Sequence, residues 1–185
     1  AIGVVGDVTL DADCVRLVQE AVDAFGRLDV LVNAAGISKM VPHDRLHDIS
    51  AEDFQRIYAV NTIGPFQMTR AAAPARKAAS TESQRSAVVN VSSREALMGS
   101  GSSMPYACSK AAVTALTLSM ARVLAPAVRV NAVCPALTEQ GFVERLAPES
   151  FAQRRAHQRQ ADPAAMSHEA RIVDALLGQA VVVLH

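Results

Sequence analysis

The stretch that decides the fold class is Ser86-Ala87-Val88-Val89-Asn90-Val91, followed directly by Ser92-Ser93. Its run of apolar and β-branched residues predicts a strand covered on both faces, as the strands of parallel sheets are. Ligands of such sheets bind outside the carboxyl ends of the strands. The sequence therefore places Ser93 where a binding site is expected.

Segments on both sides of this strand continue an alternation of strands and helices. Apolar residues at helical spacing predict a helix from Asp11 to Phe25 that stops at Gly26. Ser50, with Asp53 three places on, predicts a capping box at the start of another helix. The remaining predicted elements are strands over 28–32 and 128–133 and helices over 54–73 and 105–124. Because no repeat or linker divides the chain, we expect one α/β domain over residues 1–185.

Tyr106 and Lys110 are four residues apart, so a helix would bring them to the same face. A phenol has an ordinary pKa of about 10, and adjacent positive charge stabilises the phenolate. The pair therefore suits acid–base chemistry. The alternative is that Tyr106 packs in the interior and Lys110 is solvated. Asn61 is mildly unfavourable inside a helix, which favours a special role, although a single asparagine is usually structural.

Several motifs together resemble those of the short-chain dehydrogenase/reductase family, from about Val4 to Asn131. The matching segments are Asn33-Ala34-Ala35-Gly36, Val60-Asn61-Thr62-Ile63-Gly64, Val91-Ser92-Ser93, Tyr106 to Lys110, and Arg129-Val130-Asn131-Ala132-Val133-Cys134-Pro135. This resemblance implies a Rossmann-like, doubly wound parallel sheet and NAD or NADP as the cofactor.

The resemblance also assigns catalytic roles to four residues. Tyr106 would be the general acid/base, and Lys110 would lower its pKa and hydrogen-bond the nicotinamide ribose. Ser93 would hold the substrate oxygen. Asn61 would position a water that links Lys110 to solvent.

The same resemblance assigns a cofactor surface. Asp7 and Val8 would lie at the adenine, Asn33 to Gly36 (Asn33, Ala34, Ala35, Gly36) along the cofactor, and Pro135 and Thr138 at the nicotinamide, beside Tyr106 and Lys110. For Asp7 the alternative is a helix-entry role, with Thr9 as the N-cap residue of the first helix.

The start of the sequence departs from the family pattern. Members of the family begin with a strand, a glycine-rich turn and a helix that binds the pyrophosphate, whereas residues 1–6 here resemble the family's third strand. We therefore expect an N-terminally incomplete sheet in which the strand over 28–32 is an exposed apolar edge. We also expect a longer natural protein, or a fragment or decayed copy, and weak dinucleotide binding by the 185 residues alone.

Composition narrows the function class. The formal net charge of zero gives no electrostatic reason to expect nucleic acid as a partner. No apolar run approaches about 18 residues, so we expect no membrane span and a cytoplasmic protein. The three cysteines, Cys14, Cys108 and Cys134, are expected to be buried and reduced. His43 and His47 lie in a predicted loop, and we expect no metal site.

Two function classes stay open. The first is an NAD(P)-dependent oxidoreductase acting on a small secondary alcohol or ketone, with a homo-oligomer, implied by the resemblance, built on the helices that carry Asn61 and Tyr106. The second is a catalytically silent family member or fragment that cannot bind cofactor and serves at most as an interaction module.

Overall fold

The computed structural model describes residues 1–136 and shows parallel strands connected by helices. In chain order the elements are α1 (Asp11–Phe25), β1 (Val30–Asn33), a 3-10 turn (Leu46–Asp48), α2 (Ala51–Tyr58), a π-helical turn (Ala59–Ile63), α3 (Gly64–Ala79), β2 (Ser86–Val91), α4 (Glu95–Met98), α5 (Met104–Leu124) and β3 (Val128–Val133). This alternation confirms the predicted α/β class.

β2 lies between β1 and β3 in the sheet. Val89 of β2 pairs with Val32 of β1 and with Asn131 of β3, and both ladders are parallel. Because the strands run in one direction, their carboxyl ends meet at a single edge of the sheet. The residues that follow β1, β2 and β3 are therefore neighbours in space.

Predicted and observed strands agree at the centre of the sheet and differ towards the start of the chain. The strands over 86–91 and 128–133 have their predicted bounds, whereas the strand expected at 28–32 begins at Val30. The strand expected over residues 1–6 is wrong, since residues 1–7 form no strand. Within residues 1–136 the sheet contains no further strand that could accept their backbone hydrogen bonds.

β1 is an edge strand within the part of the chain that the structure describes, because it pairs with β2 alone. The predicted edge is therefore present, but it is not an apolar surface. Leu31 and Val32 are only 1% and 4% exposed and pack in the core. On the outer side of β1, the backbone N–H and C=O groups have no strand partner within residues 1–136.

The ends of α1 follow simple capping rules. Gly26 ends the helix in the left-handed region, with φ at 75°, and its N–H donates to Val22 O. Thr9 is not the N-cap residue, which is Leu10. Thr9 instead donates both its N–H and its hydroxyl to Asp7 Oδ1, at 2.8 Å each. Its side chain therefore binds the residue before Val8 and does not cap the helix.

The capping box predicted at Ser50 and Asp53 is present at the start of α2. The helix predicted from residue 54 to 73 is, however, interrupted. The π-helical turn at Ala59–Ile63 separates α2 from α3, and Asn61 lies within it. Such turns are frequent at functional sites.

The core lies between the sheet and the helices α1, α3 and α5. α1 contacts α3, α3 contacts β1 and β2, and α5 contacts β2 and β3. The buried apolar residues of this core are Val8, Cys14, Leu17, Val18, Leu28, Leu31, Met68, Ala72, Val88, Leu124, Val128 and Val130. The packing fixes α5 against the end of β2.

α5 has 21 residues, and an 18-residue window of it has a mean hydropathy of 1.2, so by length and composition it could span a membrane. It is not an uninterrupted apolar run, because polar residues such as Ser109, Lys110 and Thr114 divide it. Tyr106 and Lys110 on this helix are nevertheless buried in the fold, as in a core helix. Cys108, expected to be buried, is exposed on the opposite face of α5 with Ala111 and Ala115.

Candidate active site

The end of β2 is attached directly to α5. Ser92 N donates to Val133 O at 2.8 Å, which extends the ladder with β3. The Ser92 hydroxyl donates to Lys110 O and hydrogen-bonds Thr114 Oγ1, both at 2.9 Å. Ser93, the next residue, is thereby held beside the first turns of α5.

Ser93, Tyr106 and Lys110 come together at this end of the sheet. The Ser93 hydroxyl hydrogen-bonds the Tyr106 side chain, and Lys110 Nζ lies 5.8 Å from the centroid of the Tyr106 ring. All three residues are buried, at 7%, 7% and 4% exposure. The residues predicted to share a site are therefore neighbours.

The Tyr106 phenol does not have the lowered pKa that the sequence led us to expect. Burial raises the pKa of Tyr106 to about 12, the Ser93 hydrogen bond lowers it, and the Glu95 carboxylate raises it further. Loss of hydration penalises the phenolate more than its neighbours stabilise it. The Tyr106 phenol is therefore protonated throughout the neutral range.

Lys110 is an ammonium in an unusually dry position. Burial lowers the pKa of Lys110 to about 8, with Cys134 opposing that shift. Its Nζ donates to Val91 O, at the end of β2, over 2.7 Å. Nζ has three N–H donors. Within residues 1–136 the bond to Val91 O is the one hydrogen bond that it makes.

Both polar atoms of the Asn61 amide form hydrogen bonds, and two of these bonds fix the segment after β1. Its Oδ1 accepts from Ile37 N at 2.8 Å, and its Nδ2 donates to Ile37 O at 3.0 Å. Nδ2 also donates to Ser109 Oγ on α5 at 3.0 Å. The π-helical turn thus joins the turn after β1 to the helix that carries Tyr106.

The Asn33-to-Gly36 turn divides its residues between core and surface. Asn33 Nδ2 donates to Asn90 Oδ1 at 2.8 Å and to Thr69 Oγ1 at 3.2 Å, so its side chain is structural. Ala35 packs against the core. Ala34 and Gly36 are exposed at the carboxyl end of β1.

A Cβ built on Gly36 would lie 3.6 Å from both Asn61 Oδ1 and Lys110 Nζ. Because Gly36 has no side chain, the space beside Asn61 Oδ1 and Lys110 Nζ stays open. Gly36 is in this way part of the same site as Lys110.

The other predicted cofactor residues within the described part of the chain lie just before α1 or just after β3. Asp7 Oδ1 accepts two hydrogen bonds from Thr9, and Val8 O accepts one from Gln67 Nε2 at 2.8 Å and one from Cys14 Sγ at 3.4 Å. Pro135 O accepts from Arg94 N at 3.0 Å, which ties the end of β3 to the segment after Ser93. Thr138 lies outside the described residues.

Comparison with known proteins decides the family. The profile of the short chain dehydrogenase family matches residues 1–150. The chain belongs to this family. The site described above therefore lies in a member of the short-chain dehydrogenase family, and solved structures of the family match its fold.

Three relatives illustrate the similarity. A granaticin polyketide synthase protein of Streptomyces violaceoruber, whose name describes a ketoacyl reductase, is 42% identical over 163 residues, 88% of this chain and 63% of the relative. A 3-ketoacyl-(acyl-carrier-protein) reductase from Brucella melitensis, solved with NADH, is 34% identical with a TM-score of 0.66, covering 72% of this chain and 55% of that one. An NAD+-bound xylitol dehydrogenase is 31% identical with a TM-score of 0.67, covering 76% and 52%.

These matches confirm the Rossmann-like fold of a short-chain dehydrogenase. They also show that the chain spans between about half and two thirds of the length of the relatives.

Sequence reasoning missed several residues around this short-chain dehydrogenase site. Ser92 and Ser109 position α5 and Asn61, and Glu95 places a carboxylate beside Tyr106. Their roles depend on contacts between separate elements, which a local sequence pattern does not contain. Within residues 1–136 no group of three His, Cys, Asp or Glu side chains is arranged to hold a metal ion.

Proposed function

We propose that this chain carries the catalytic part of an NAD(P)-dependent oxidoreductase that interconverts a small secondary alcohol and the corresponding ketone. The observation that carries the proposal is the hydrogen bond between Ser93 and Tyr106 beside the buried Lys110. A hydroxyl, a phenol and an ammonium are the groups that carbonyl reduction needs, and the fold holds them together.

In the reducing direction, the carbonyl oxygen would lie between the Ser93 hydroxyl and the Tyr106 phenol. Ser93 would donate a hydrogen bond to that oxygen and orient it. Tyr106 would deliver the proton as negative charge develops on the oxygen, which suits a phenol that is neutral at the working pH. The nicotinamide supplies the hydride when it is bound, or accepts it in the reverse direction.

The residues around Lys110 fit the ribose side of such a cofactor. Lys110 Nζ retains N–H donors beyond the one given to Val91 O within the described part of the chain. The open space at Gly36 lies directly beside it. Lys110 would hold the ribose hydroxyls, and its ammonium would stabilise the Tyr106 phenolate left after proton transfer. The exposed Ala34 and Gly36 would line the cofactor.

The names of the relatives support NAD or NADP as the cofactor and a carbonyl or alcohol as the substrate. One solved relative carries NADH and another NAD+. Their substrates, a ketoacyl group and xylitol, share a ketone or secondary alcohol as the reacting group. That common chemistry is the substrate class we propose for this protein.

We also propose that the active form is a homo-oligomer packed through α3 and α5. Phe66 on α3 and Leu118 and Val123 on α5 are 39%, 59% and 77% exposed. Such an assembly would cover these exposed apolar side chains.

The test is a titration of the full-length protein with NADH and with NADPH, followed by fluorescence, together with oxidation of the bound nucleotide by ketones. Saturable binding of one nucleotide and ketone-dependent oxidation are expected. Absence of saturable binding of either nucleotide would contradict the proposal and favour a catalytically silent protein.

A further inference from the structure

Lys110 is attached to the end of β2 through both its ammonium and its backbone. Its Nζ donates to Val91 O at 2.7 Å, and its backbone O accepts from the Ser92 hydroxyl at 2.9 Å. Val91 is the last residue of β2, and Ser92 follows it directly. The Lys110 side chain therefore lies between two anchors that are adjacent in the chain.

Ser92 is well suited to be the backbone anchor, because both its N–H and its hydroxyl are bound. The N–H donates to Val133 O on β3 at 2.8 Å, and the hydroxyl also hydrogen-bonds Thr114 Oγ1 at 2.9 Å. Ser92 is only 3% exposed, so bulk water does not compete for these bonds. Through Ser92 the sheet is thus joined to α5 at Lys110.

The position of Lys110 Nζ decides what its remaining N–H donors can reach. A Cβ built on Gly36 would lie 3.6 Å from Nζ, so the ammonium borders the open space proposed for the cofactor. The side chain of a lysine is a flexible four-carbon stem, and ordering it on binding weakens the affinity for a ligand. Two anchors hold this stem in place before a ligand binds, which preorganises the ammonium.

We propose that Ser92 is a positioning residue for Lys110, whose hydroxyl fixes the Lys110 backbone so that the ammonium is presented to the nucleotide beside Gly36. This inference rests on the proposed oxidoreductase function and adds to it a residue that acts on nucleotide binding through Lys110. The Ser92 hydroxyl is buried against α5, so it would not touch the nucleotide itself.

The experiment is a double-mutant cycle on nucleotide binding in the full-length protein. Fluorescence titrations with NADH and NADPH compare the unmodified protein, Ser92→Ala, Lys110→Met and the double variant. Ser92→Ala should raise the Kd of the nucleotide about three- to tenfold, the range that follows from the loss of one buried hydrogen bond.

In the Lys110→Met background the same substitution should change this Kd by less than about twofold. Lys110→Met keeps the backbone oxygen that Ser92 binds and removes only the ammonium. A purely structural effect of Ser92 would therefore persist in this background, whereas an effect that acts through the ammonium disappears.

Thr117→Val is the matched control. The Thr117 hydroxyl is also buried, donates to Val113 O of α5 at 2.8 Å and accepts from Asn90 Nδ2 of β2 at 2.8 Å. It lies about two helical turns beyond Lys110. Its loss should lower the urea midpoint about as much as Ser92→Ala does, while the Kd of the nucleotide stays within about twofold of the unmodified protein.

Ser92→Cys gives the same readout if Ser92→Ala does not fold, because a thiol keeps the size of the side chain but is a weak donor. An equal rise in Kd with and without the Lys110 ammonium would overturn the inference, and so would an unchanged Kd in Ser92→Ala. An unmodified protein that binds neither NADH nor NADPH would refute the proposed function, and this inference with it.

Discussion

Tyr106 and Lys110 illustrate how burial sets the chemistry of single residues. Burial raises the pKa of Tyr106 to about 12 and lowers the pKa of Lys110 to about 8. Each shift favours the neutral form of its group. In the mechanism we propose, proton transfer from Tyr106 would be assisted by the Lys110 ammonium and by the negative charge that develops on the substrate oxygen.

The buried Lys110 ammonium should reduce the stability of the fold at neutral pH. Its pKa is about 8 in the folded protein against 10.5 for an ordinary lysine, so the folded state loses stability as pH falls from about 10.5 towards 8, and the loss is complete below pH 8. Lys110→Met should accordingly raise the free energy of unfolding at pH 7 by about 1–2 kcal/mol, after allowance for the lost hydrogen bond to Val91 O. Urea denaturation measures this change.

This gain should shrink at pH 10, where the folded protein has already released the proton. Lys77→Met, on an exposed lysine of α3, is the control and should stay within about 0.5 kcal/mol of the unmodified protein. A clear loss of stability in Lys110→Met at pH 7 would contradict the account.

At this scale the sequence predicted that Ser93, Tyr106 and Lys110 are neighbours, but it gave the wrong direction for the pKa shift of Tyr106. Spacing alone brought Tyr106 and Lys110 to one face of a helix, and the end of a strand placed Ser93 opposite. The sign of the Tyr106 shift depends on burial and on Glu95, and both are set by packing between separate elements. Local sequence patterns do not contain that information.

At the scale of elements, the π-helical turn at Ala59–Ile63 organises the site. It places Asn61 so that one amide binds both backbone groups of Ile37 and the Ser109 hydroxyl. A regular helix through this point would rotate the side chain relative to the turn after β1.

Asn61→Leu should therefore lower both stability and activity. Removing the buried amide leaves the half-buried Ile37 N and Ile37 O without this partner and takes one of the two hydrogen bonds of buried Ser109 Oγ, which should cost about 2–4 kcal/mol in the free energy of unfolding. Urea denaturation tests this, with Asn131→Leu, on an exposed residue of β3, as the control. A cost below about 1 kcal/mol would mean that the amide is dispensable.

The regular elements were predictable and the irregular ones were not. β2 and β3 are rich in valine and bounded by polar segments, and α1 has both helical spacing and a terminal glycine, so their bounds followed from the sequence. The π-helical turn has no distinctive composition beyond an asparagine in a helix. The strand expected over residues 1–6 was wrong because a strand depends on its neighbour as well as on its own residues.

At the scale of the whole molecule, Arg76 is an unusual part of the interior. It is 0% exposed, and Nη2 donates to Asp29 O and Ala87 O at the amino ends of β1 and β2. Within residues 1–136, its Nε and Nη1 have no hydrogen-bond partner. Burial lowers the pKa of Arg76 to about 10. The sequence around it, with Lys77 next in line, is typical of a surface helix, so its burial was not predicted.

Arg76→Met should be neutral or stabilising by about 1 kcal/mol, because an apolar side chain of similar length avoids burying a charge without a carboxylate partner. Thermal and urea denaturation measure the change, with Arg122→Met on an exposed residue of α5 as the control. A loss above about 2 kcal/mol would show that the two carbonyl contacts outweigh the cost of burying the charge.

The whole site depends on the convergence of β2, α5 and the π-helical turn, and its central residue is Tyr106. The most direct measurement is the turnover of Tyr106→Phe in the full-length protein, with NADH and NADPH binding measured on the same sample. The account predicts that kcat falls by about 10²–10⁴-fold while the Kd of the nucleotide changes by less than about threefold. Turnover within tenfold of the unmodified protein would contradict the role of this phenol as the proton donor.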